Sequence, residues 1–190
     1  LGIQKIYDHW FKIKEGTTTI TQNSLKADNP ISIGFVGNDD RGILNILGES
    51  ADVIFNGKIS NVGGSTFVFA DDIWQGANGY IKTRDLALKA KNNVGALDNL
   101  IKTNAVALSG IATNGVFAVE VLHNDVLLGN NHAGVEGIKA GTTAYIKAAG
   151  NITQNSYSDI TANRIELYSQ TGSIGSSDEL LQIKAGKGSG

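Results

Sequence analysis

Internal repetition is the feature of this sequence that most constrains its fold. Asp72-Ile73-Trp74-Gln75 is matched further along the chain by Asn151-Ile152-Thr153-Gln154. After one inserted residue, Val94-Gly95 falls on Ile174-Gly175, and Thr19-Ile20-Thr21-Gln22 gives a third, partial copy. A repeat longer than one secondary-structure element is typical of stacked repeat units. The fold must therefore be predicted from the repeat and not from single elements taken one at a time.

A finer period lies inside the repeat, as short runs in which apolar residues alternate with others. Period two predicts strands with one buried face. Corresponding points recur at about 20 residues, as from Leu86 to Val106 and from Leu88 to Leu108. The longer repeat then corresponds to four coils of this length. The alternating runs are Val53-Phe55, Phe67-Phe69, Leu86-Leu88-Ala90, Val106-Leu108, Phe117-Val119-Val121, Ala144-Ile146-Ala148, Ile165-Leu167 and Leu181-Ile183-Ala185.

The connections between these runs decide among the β folds. None contains ten residues of helical period, so crossover helices are excluded. Antiparallel hairpins need no constant turn length, whereas stacked parallel coils do. We therefore predict an all-β, right-handed parallel β-helix over residues 16–185, with about 20 residues per coil, roughly nine coils and a rod of about 40 Å. Residues 186–190 are predicted to be a flexible tail.

Residues 1–15 are predicted to close the N-terminal end of the rod, where unpaired strand edges would otherwise be exposed. Ile3, Ile6, Tyr7, Trp10 and Phe11 follow the spacing of one helical stripe, which fits a short capping helix. The alternative is a first strand through Phe11 and Ile13.

Composition excludes several functional classes. The formal net charge is -2 and the pI about 5.9, so we expect no nucleic-acid partner. No apolar run is long enough to span a bilayer, and Leu1 to Lys14 lacks the apolar core of a signal peptide. The absence of Cys excludes disulfides, thiol chemistry and the commonest zinc sites.

Three segments carry a family resemblance: Gly150-Asn-Ile-Thr-Gln, the run Asp159-Ile-Thr-Ala-Asn-Arg-Ile-Glu-Leu, and the run from Thr171 through Ala185. With Asn93–Lys102, they resemble the shaft repeats of filamentous-haemagglutinin-like bacterial exoproteins, which include adhesins and leukotoxin-type proteins. The resemblance covers roughly residues 66–185. It implies export by a dedicated transporter, a secreted or cell-surface location, and attachment to host cells or other bacteria.

The N-terminal region departs from that family. Its members carry an export domain with Asn-Pro-Asn-type signatures, and only Asn29-Pro30-Ile31 is faintly similar to one here. We therefore expect an internal segment of a larger exoprotein.

Candidate contact residues lie at the polar interruptions. Asp39, Asp40 and Arg41 stand between glycines and predict a loop, and Asp71 and Asp72 stand at the start of a strand. For all four aspartates, solvated turn positions are the simpler interpretation. Trp74 follows Ile73 out of the apolar register, so it either projects as a contact residue or packs under a loop.

The longest polar interruption, Gly129 to Gly137, predicts a loop that bulges from the coil, and Gly34 to Gly42 predicts a second. His123 and the run Asn130-Asn131-His132 could meet on one edge. Three scattered histidines do not make a zinc site, and no nucleophile elbow, phosphate loop or metal motif occurs. We expect no cofactor, no metal and no catalytic residue.

The resulting hypothesis is a non-catalytic structural and adhesive module. Its partners would be a host cell-surface protein or glycan and, for the parent protein, an export transporter. A leukotoxin-like cytotoxin fragment and a polysaccharide-active β-helix enzyme are the alternatives. The enzyme would need several acidic or basic side chains from adjacent rungs converging in a lateral groove.

Overall fold

Every regular element in the described part of the chain is a β-strand. The computed structural model describes residues 4–6, 10–13, 17–21, 32–35, 42–48, 50–129, 134–156, 158–178 and 180–186. The strands are β1 (Gln4–Ile6), β2 (Trp10–Ile13), β3 (Thr17–Thr21), β4 (Ser32–Phe35), β5 (Ile43–Leu47), β6 (Val53–Phe55), β7 (Lys58–Ala70), β8 (Ile73–Gln75), β9 (Tyr80–Ala90), β10 (Ile101–Ala112), β11 (Phe117–Val121), β12 (Val126–Leu128), β13 (Ile138–Ala140), β14 (Thr143–Ala148), β15 (Ile152–Gln154), β16 (Ile160–Ala162), β17 (Arg164–Ser169) and β18 (Ile183–Ala185).

The strands stack in parallel, and the chain winds as a β-solenoid. Successive coils lie about 22 residues apart, which gives about six turns. The predicted parallel β-helix is therefore confirmed, whereas the number of coils in the whole chain and the right-handed winding stay predictions. The rungs from β7 to β17 make up these turns, and β2 and β4 stack below them in parallel, so the rod from β2 to β17 is about 34 Å long at one strand spacing per rung.

Three stacks of strands surround the core between residues 53 and 112. β6 and β8 form the first stack, which Val94 continues. The first parts of β7, β9 and β10 form the second stack, and their second parts form the third. β5 precedes β7 in the third stack.

The stacks rearrange above β10. β11 pairs with the first part of β10 and also bridges to Val94, so the first and second stacks merge and continue through β14 and β17. The second part of β10 pairs with both β12 and β13. The third stack thus divides into one stack through β12 and β15 and another through β13, β16 and β18.

The core is a continuous column of aliphatic side chains inside the stacks. Leu86, Leu108 and Leu128 pair in successive coils and are fully buried. Burying each such side chain stabilises the fold by about 1.5–3 kcal/mol. The largest fully buried side chains are Phe117, Leu44, Ile73, Ile81, Leu86, Leu88, Ile101, Leu108, Leu128, Ile138 and Ile146.

Some residues predicted to face inward face outward. Val68 and Ala70 are buried while Phe67 and Phe69 are half-buried on the outer side of β7, where Lys89 lies 5.5 Å from the Phe69 ring. The last four residues of β7, Phe67 to Ala70, are all apolar, so both faces are apolar there and alternation alone did not indicate the inner set.

The coil length predicted from the sequence was slightly too short. Leu86 pairs with Leu108 and not with Val106, which is 52% exposed. Val106 stands between Ala105 and Ala107, where β10 passes from the second stack to the third, so its side chain points outward although it lies two residues before Leu108. The alternation of apolar residues does not reveal this bend, and it therefore did not fix the coil length.

The longer sequence repeat does not correspond to four complete coils. Gln75 belongs to the first stack, whereas Gln154 pairs with Leu128 in the stack that descends from Leu108. The two copies lie on different sides of the rod. The sequence repeat therefore reflects a local structural motif that occurs twice. The two copies lie in different stacks, at different angles around the rod axis.

At the N-terminal end, β1 and β2 pair antiparallel, and β2 pairs in parallel with β4. The capping-helix alternative is wrong for the described residues, and the alternative of a strand through Phe11 and Ile13 is confirmed. Of the predicted tail, only Gly186 lies within the described residues.

Candidate functional site

Six of the predicted contact residues lie outside the described residues. They are Asp39, Asp40, Arg41, Asn130, Asn131 and His132. The predicted loop at Gly34 to Gly42 is wrong at its start, because Gly34 lies within β4. Around the other predicted loop, Gly129, Gly134 and Gly137 have positive φ values of 88°, 72° and 64°, in the region that favours glycine.

The Gly129–Gly137 segment connects β12 to β13, the two strands that continue the divided stack. Val135, near its end, is fully buried. The chain needs this connection because β12 and β13 belong to the two separate stacks into which the third stack divides. His123 is exposed at the corner between β11 and β12, and its predicted meeting with His132 lies outside the described residues.

Asp71 and Asp72 occupy a corner, and both are engaged in contacts between coils. The Asp71 carboxylate lies 3.9 Å from the Lys91 ammonium group. Asp72 Oδ1 accepts hydrogen bonds from the backbone N–H of Asn93 at 2.9 Å and from its side-chain amide at 2.8 Å, and Asp72 Oδ2 accepts from Asn92 at 3.0 Å. These residues join one coil to the next.

Hydrogen bonding sets the ionisation of Asp72. Partial burial raises the pKa of this carboxyl group, but the hydrogen bonds from Asn92 and Asn93 lower it and prevail, so the pKa lies below its ordinary value. Asp72 therefore stays ionised at neutral pH as a structural acceptor. The same position in the second copy, Asn151, accepts from the backbone N–H of Ser173 at 2.8 Å.

Trp74 points outward from β8 and is half-buried. Its partner in the register is Ile54, which is 57% exposed. A two-residue turn follows nearby, because Ala96 and Asn99 exchange both backbone hydrogen bonds at 3.0 Å, which leaves Leu97 51% exposed at its tip. Asn99 donates to the carbonyl oxygen of Gln75 at 2.8 Å, which holds this turn beside β8.

Charge is separated between strands and corners, which the sequence alone did not suggest. Within residues 42–186, the strands carry nine lysine or arginine residues and three acidic ones, whereas the described connecting segments carry eight acidic residues and one lysine, Lys91. Each of the three strand acids has a basic partner at 2.7 Å. The outer strand surfaces are therefore basic on a chain whose net charge is negative.

The longest line of such residues runs along the second and merged stacks. We call it the lysine–tyrosine column; its members are Lys58, Tyr80, Lys102, Glu120, Lys147 and Tyr168. Direct pairing joins Lys58 to Tyr80, Lys102 to Glu120, Glu120 to Lys147, and Lys147 to Tyr168. Ile81 pairs with Thr103. The residues that precede them, Tyr80 and Lys102, are therefore also neighbours in adjacent rungs.

Exposure and charge vary along this column. Lys58, Lys102 and Tyr168 are exposed, and Tyr80 is half-buried, which raises the pKa of its phenol. Lys147 and Glu120 form a salt bridge of 2.7 Å. That hydrogen bond raises the pKa of Lys147 above its ordinary value despite the opposing effect of burial.

The sequence carries one signal for this column, which is the spacing of its lysines. The intervals from Lys58 to Lys102 and from Lys102 to Lys147 are each close to two coils of the observed length. With the shorter coil predicted from the sequence, the three lysines fall out of line. Only the pairing of strands identifies them as a column.

Two further findings concern metal binding and membrane crossing. The described residues contain no group of three or more His, Cys, Asp or Glu side chains placed to hold a metal ion. Within the same residues, no helix has the length and apolar character needed to cross a bilayer.

Comparison with protein-family models, with characterised proteins and with solved structures finds no match to this chain.

Proposed function

We propose that this chain is a non-catalytic shaft segment of a large secreted bacterial exoprotein and that it supports attachment to host cells. One observation supports this most directly: parallel strands stack over about six turns around a continuous apolar core. Neighbouring strands in such a stack lie about 4.8 Å apart. Outward side chains are therefore held at defined heights along a stiff rod.

The corners strengthen the rod between coils. Asn93 Oδ1 accepts from the backbone N–H of Val116 at 3.0 Å, and Asp125 Oδ1 accepts from Asn151 at 2.7 Å. Together with Asp72, these side chains satisfy backbone donors where the strands end. Such hydrogen bonds contribute about 0.5–1.5 kcal/mol each.

The lateral surface offers the contact area. The basic strand surfaces, and the apolar residues around Trp74, supply side chains of the kinds that contact glycans and proteins. A host cell-surface protein or glycan is the partner class that we propose. Export of the parent protein by a dedicated transporter and a secreted or cell-surface location belong to the same proposal, and they depend on the resemblance described above.

A cell-binding measurement tests the proposal. The fluorescently labelled chain is incubated with cultured epithelial cells and leukocytes, and the control is the variant Leu108→Asp, which places a charge in the core and should unfold the coils around it, as circular dichroism verifies. We expect saturable binding by the folded chain alone. Equal binding by the unfolded control, or no binding at all, would contradict adhesion.

The same preparation separates the two alternative functions. Release of cytoplasmic enzyme from leukocytes would favour a cytotoxin fragment. Shortening of a polysaccharide by the isolated chain would favour a β-helix enzyme. Either result would overturn the non-catalytic proposal, whereas we expect intact cells and uncleaved glycan.

A further inference from the structure

The lysine–tyrosine column has an axial period. Lys58, Lys102 and Lys147 occupy every second rung, which places them about 9.6 Å apart along the rod at one strand spacing per rung. Tyr80 and Tyr168 occupy rungs between or beside them. The column thus alternates a cationic side chain with an uncharged aromatic or acidic one.

The two residue types serve complementary contacts. A lysine ammonium group attracts an anionic substituent, and the face of a tyrosine ring stacks against the apolar face of a sugar ring while its hydroxyl group forms hydrogen bonds. The separation of neighbouring rungs is close to the length of one pyranose in an extended glycan. Lysines on alternate rungs therefore match a linear polysaccharide that carries one anionic group per disaccharide.

The rest of the surface defines the path. The described corners carry acidic residues such as Asp71, Asp98 and Asp125, which repel an anionic polymer. The column lies on strand surfaces, with Lys82 on the adjacent line of β9 and exposed. A polyanion is thereby directed along the axis of the rod.

We infer that the lysine–tyrosine column binds a linear anionic polysaccharide lying parallel to the rod axis, with an anionic group beside each lysine whose charge Glu120 does not neutralise. The inference rests on the proposed function, because it names the class of ligand that the adhesive surface takes. Carboxylate and sulfate groups share the chemistry that the column recognises, so the experiment separates them.

Glu120 gives the inference its sharpest consequence. Its carboxylate neutralises Lys147 at 2.7 Å and lies next to Lys102 in the register. It is therefore the one unfavourable group for a polyanion within the column. Replacing it with glutamine keeps its shape and frees positive charge.

The test measures binding of the full chain to immobilised polymers of matched length at physiological salt. Dextran sulfate presents sulfate groups, polygalacturonate presents carboxylates, and dextran is the neutral polymer. We expect binding to at least one anionic polymer and none to dextran. Lys102→Ala and Tyr168→Ala should each weaken binding roughly threefold to fivefold, the effect of one exposed contact, and Glu120→Gln should strengthen it by a similar factor.

The matched control is Lys91→Ala, which removes the same charge from a corner. Circular dichroism and thermal unfolding check that each variant stays folded. If Lys91→Ala weakens binding as much as Lys102→Ala, or if Glu120→Gln has no effect, the column is not the site. Equal competition by single-stranded DNA would indicate unspecific attraction of polyanions and would also overturn the inference.

A cell-binding measurement shows whether the inference about the lysine–tyrosine column or the proposed function is at fault. If the chain binds cells and Lys102→Ala binds them equally well, adhesion stands and the column is not responsible. If the chain binds an anionic polymer through the column but binds no cells, the ligand class stands and attachment to host cells does not.

Discussion

Gln75 and Gln154 occupy equivalent positions in the two copies of the sequence repeat and make the same pair of hydrogen bonds. Each side-chain amide donates to the carbonyl oxygen four residues later, of Gly79 and Ser158 respectively. Each side-chain carbonyl accepts a backbone N–H from the next coil, from Lys102 and Gln182. A single buried residue type thus closes one connection and anchors the next in both copies.

Gln75→Ala should destabilise the chain by about 1–3 kcal/mol, because it leaves the buried carbonyl group of Gly79 and the partly buried N–H group of Lys102 without these partners. Urea unfolding followed by circular dichroism measures the change. Gln170→Ala, at an exposed position, is the control and should change stability little. Equal effects of the two substitutions would show that the Gln75 hydrogen bonds do not matter.

Gly110→Ala should destabilise the rod by about 1–3 kcal/mol through overpacking. A Cβ atom on Gly110 would lie 1.9 Å from Cε2 of Phe117, the ring that fills the core above it. Urea midpoints of Gly110→Ala, Phe117→Leu and the double variant measure the coupling. Because leucine frees the space that the new methyl group needs, the double variant should be more stable than the sum of the two single effects predicts. Additive effects would contradict the contact.

Asp72 should make stability depend on pH in the acid range. Its pKa is lowered in the folded chain from an ordinary value of 3.8. The carboxylate therefore stabilises the fold above that value, and the contribution is lost as the pH falls through the folded pKa. Asp72→Ala should cost about 0.5–2 kcal/mol at pH 7 and clearly less at pH 3, as urea unfolding at both pH values would reveal.

Asp72→Asn is the matched variant for that experiment, since Asn151 accepts the equivalent hydrogen bond in the second copy. It should be less destabilising than Asp72→Ala at pH 7 and should remove the pH dependence due to this residue. The hydrogen bonds of Asp72 would have no role in stability if both substitutions were neutral at pH 7.

Ile160→Ala should destabilise the chain by about 2–4 kcal/mol, and Ile183→Ala by much less. The two residues are partners in the register, but Ile160 is fully buried while Ile183 is 48% exposed. Hydrogen exchange would show Ile183→Ala loosening only the coil that contains β18, because each coil contacts only its neighbours. Loss of protection throughout the chain would contradict a solenoid.

The parallel β-helix was predictable from sequence because both of its signals are visible along the chain without knowing which strands pair. Alternation in runs such as Phe117-Val119-Val121 identifies strands, and their regular recurrence without helical connections indicates stacking. The outer positions of Phe67 and Phe69 were not predictable, because which apolar face of a strand turns inward depends on its neighbours in adjacent coils.

The lateral surface was harder to predict than the core. Lys58, Lys102 and Lys147 come together only when the coil length is accurately known, and alternation cannot supply that accuracy. The aspartates and Trp74 stand out in the sequence only because they are unusual residues in their local surroundings. Of these, Asp72 proved to be a structural acceptor.

The angular displacement between the two copies of the glutamine motif has a consequence for any protein built from many such copies. Successive copies of the motif would lie at different angles around the axis of the shaft and would follow a helical path along it. A flat target surface would then meet only some of them at once, whichever side of the molecule faced it.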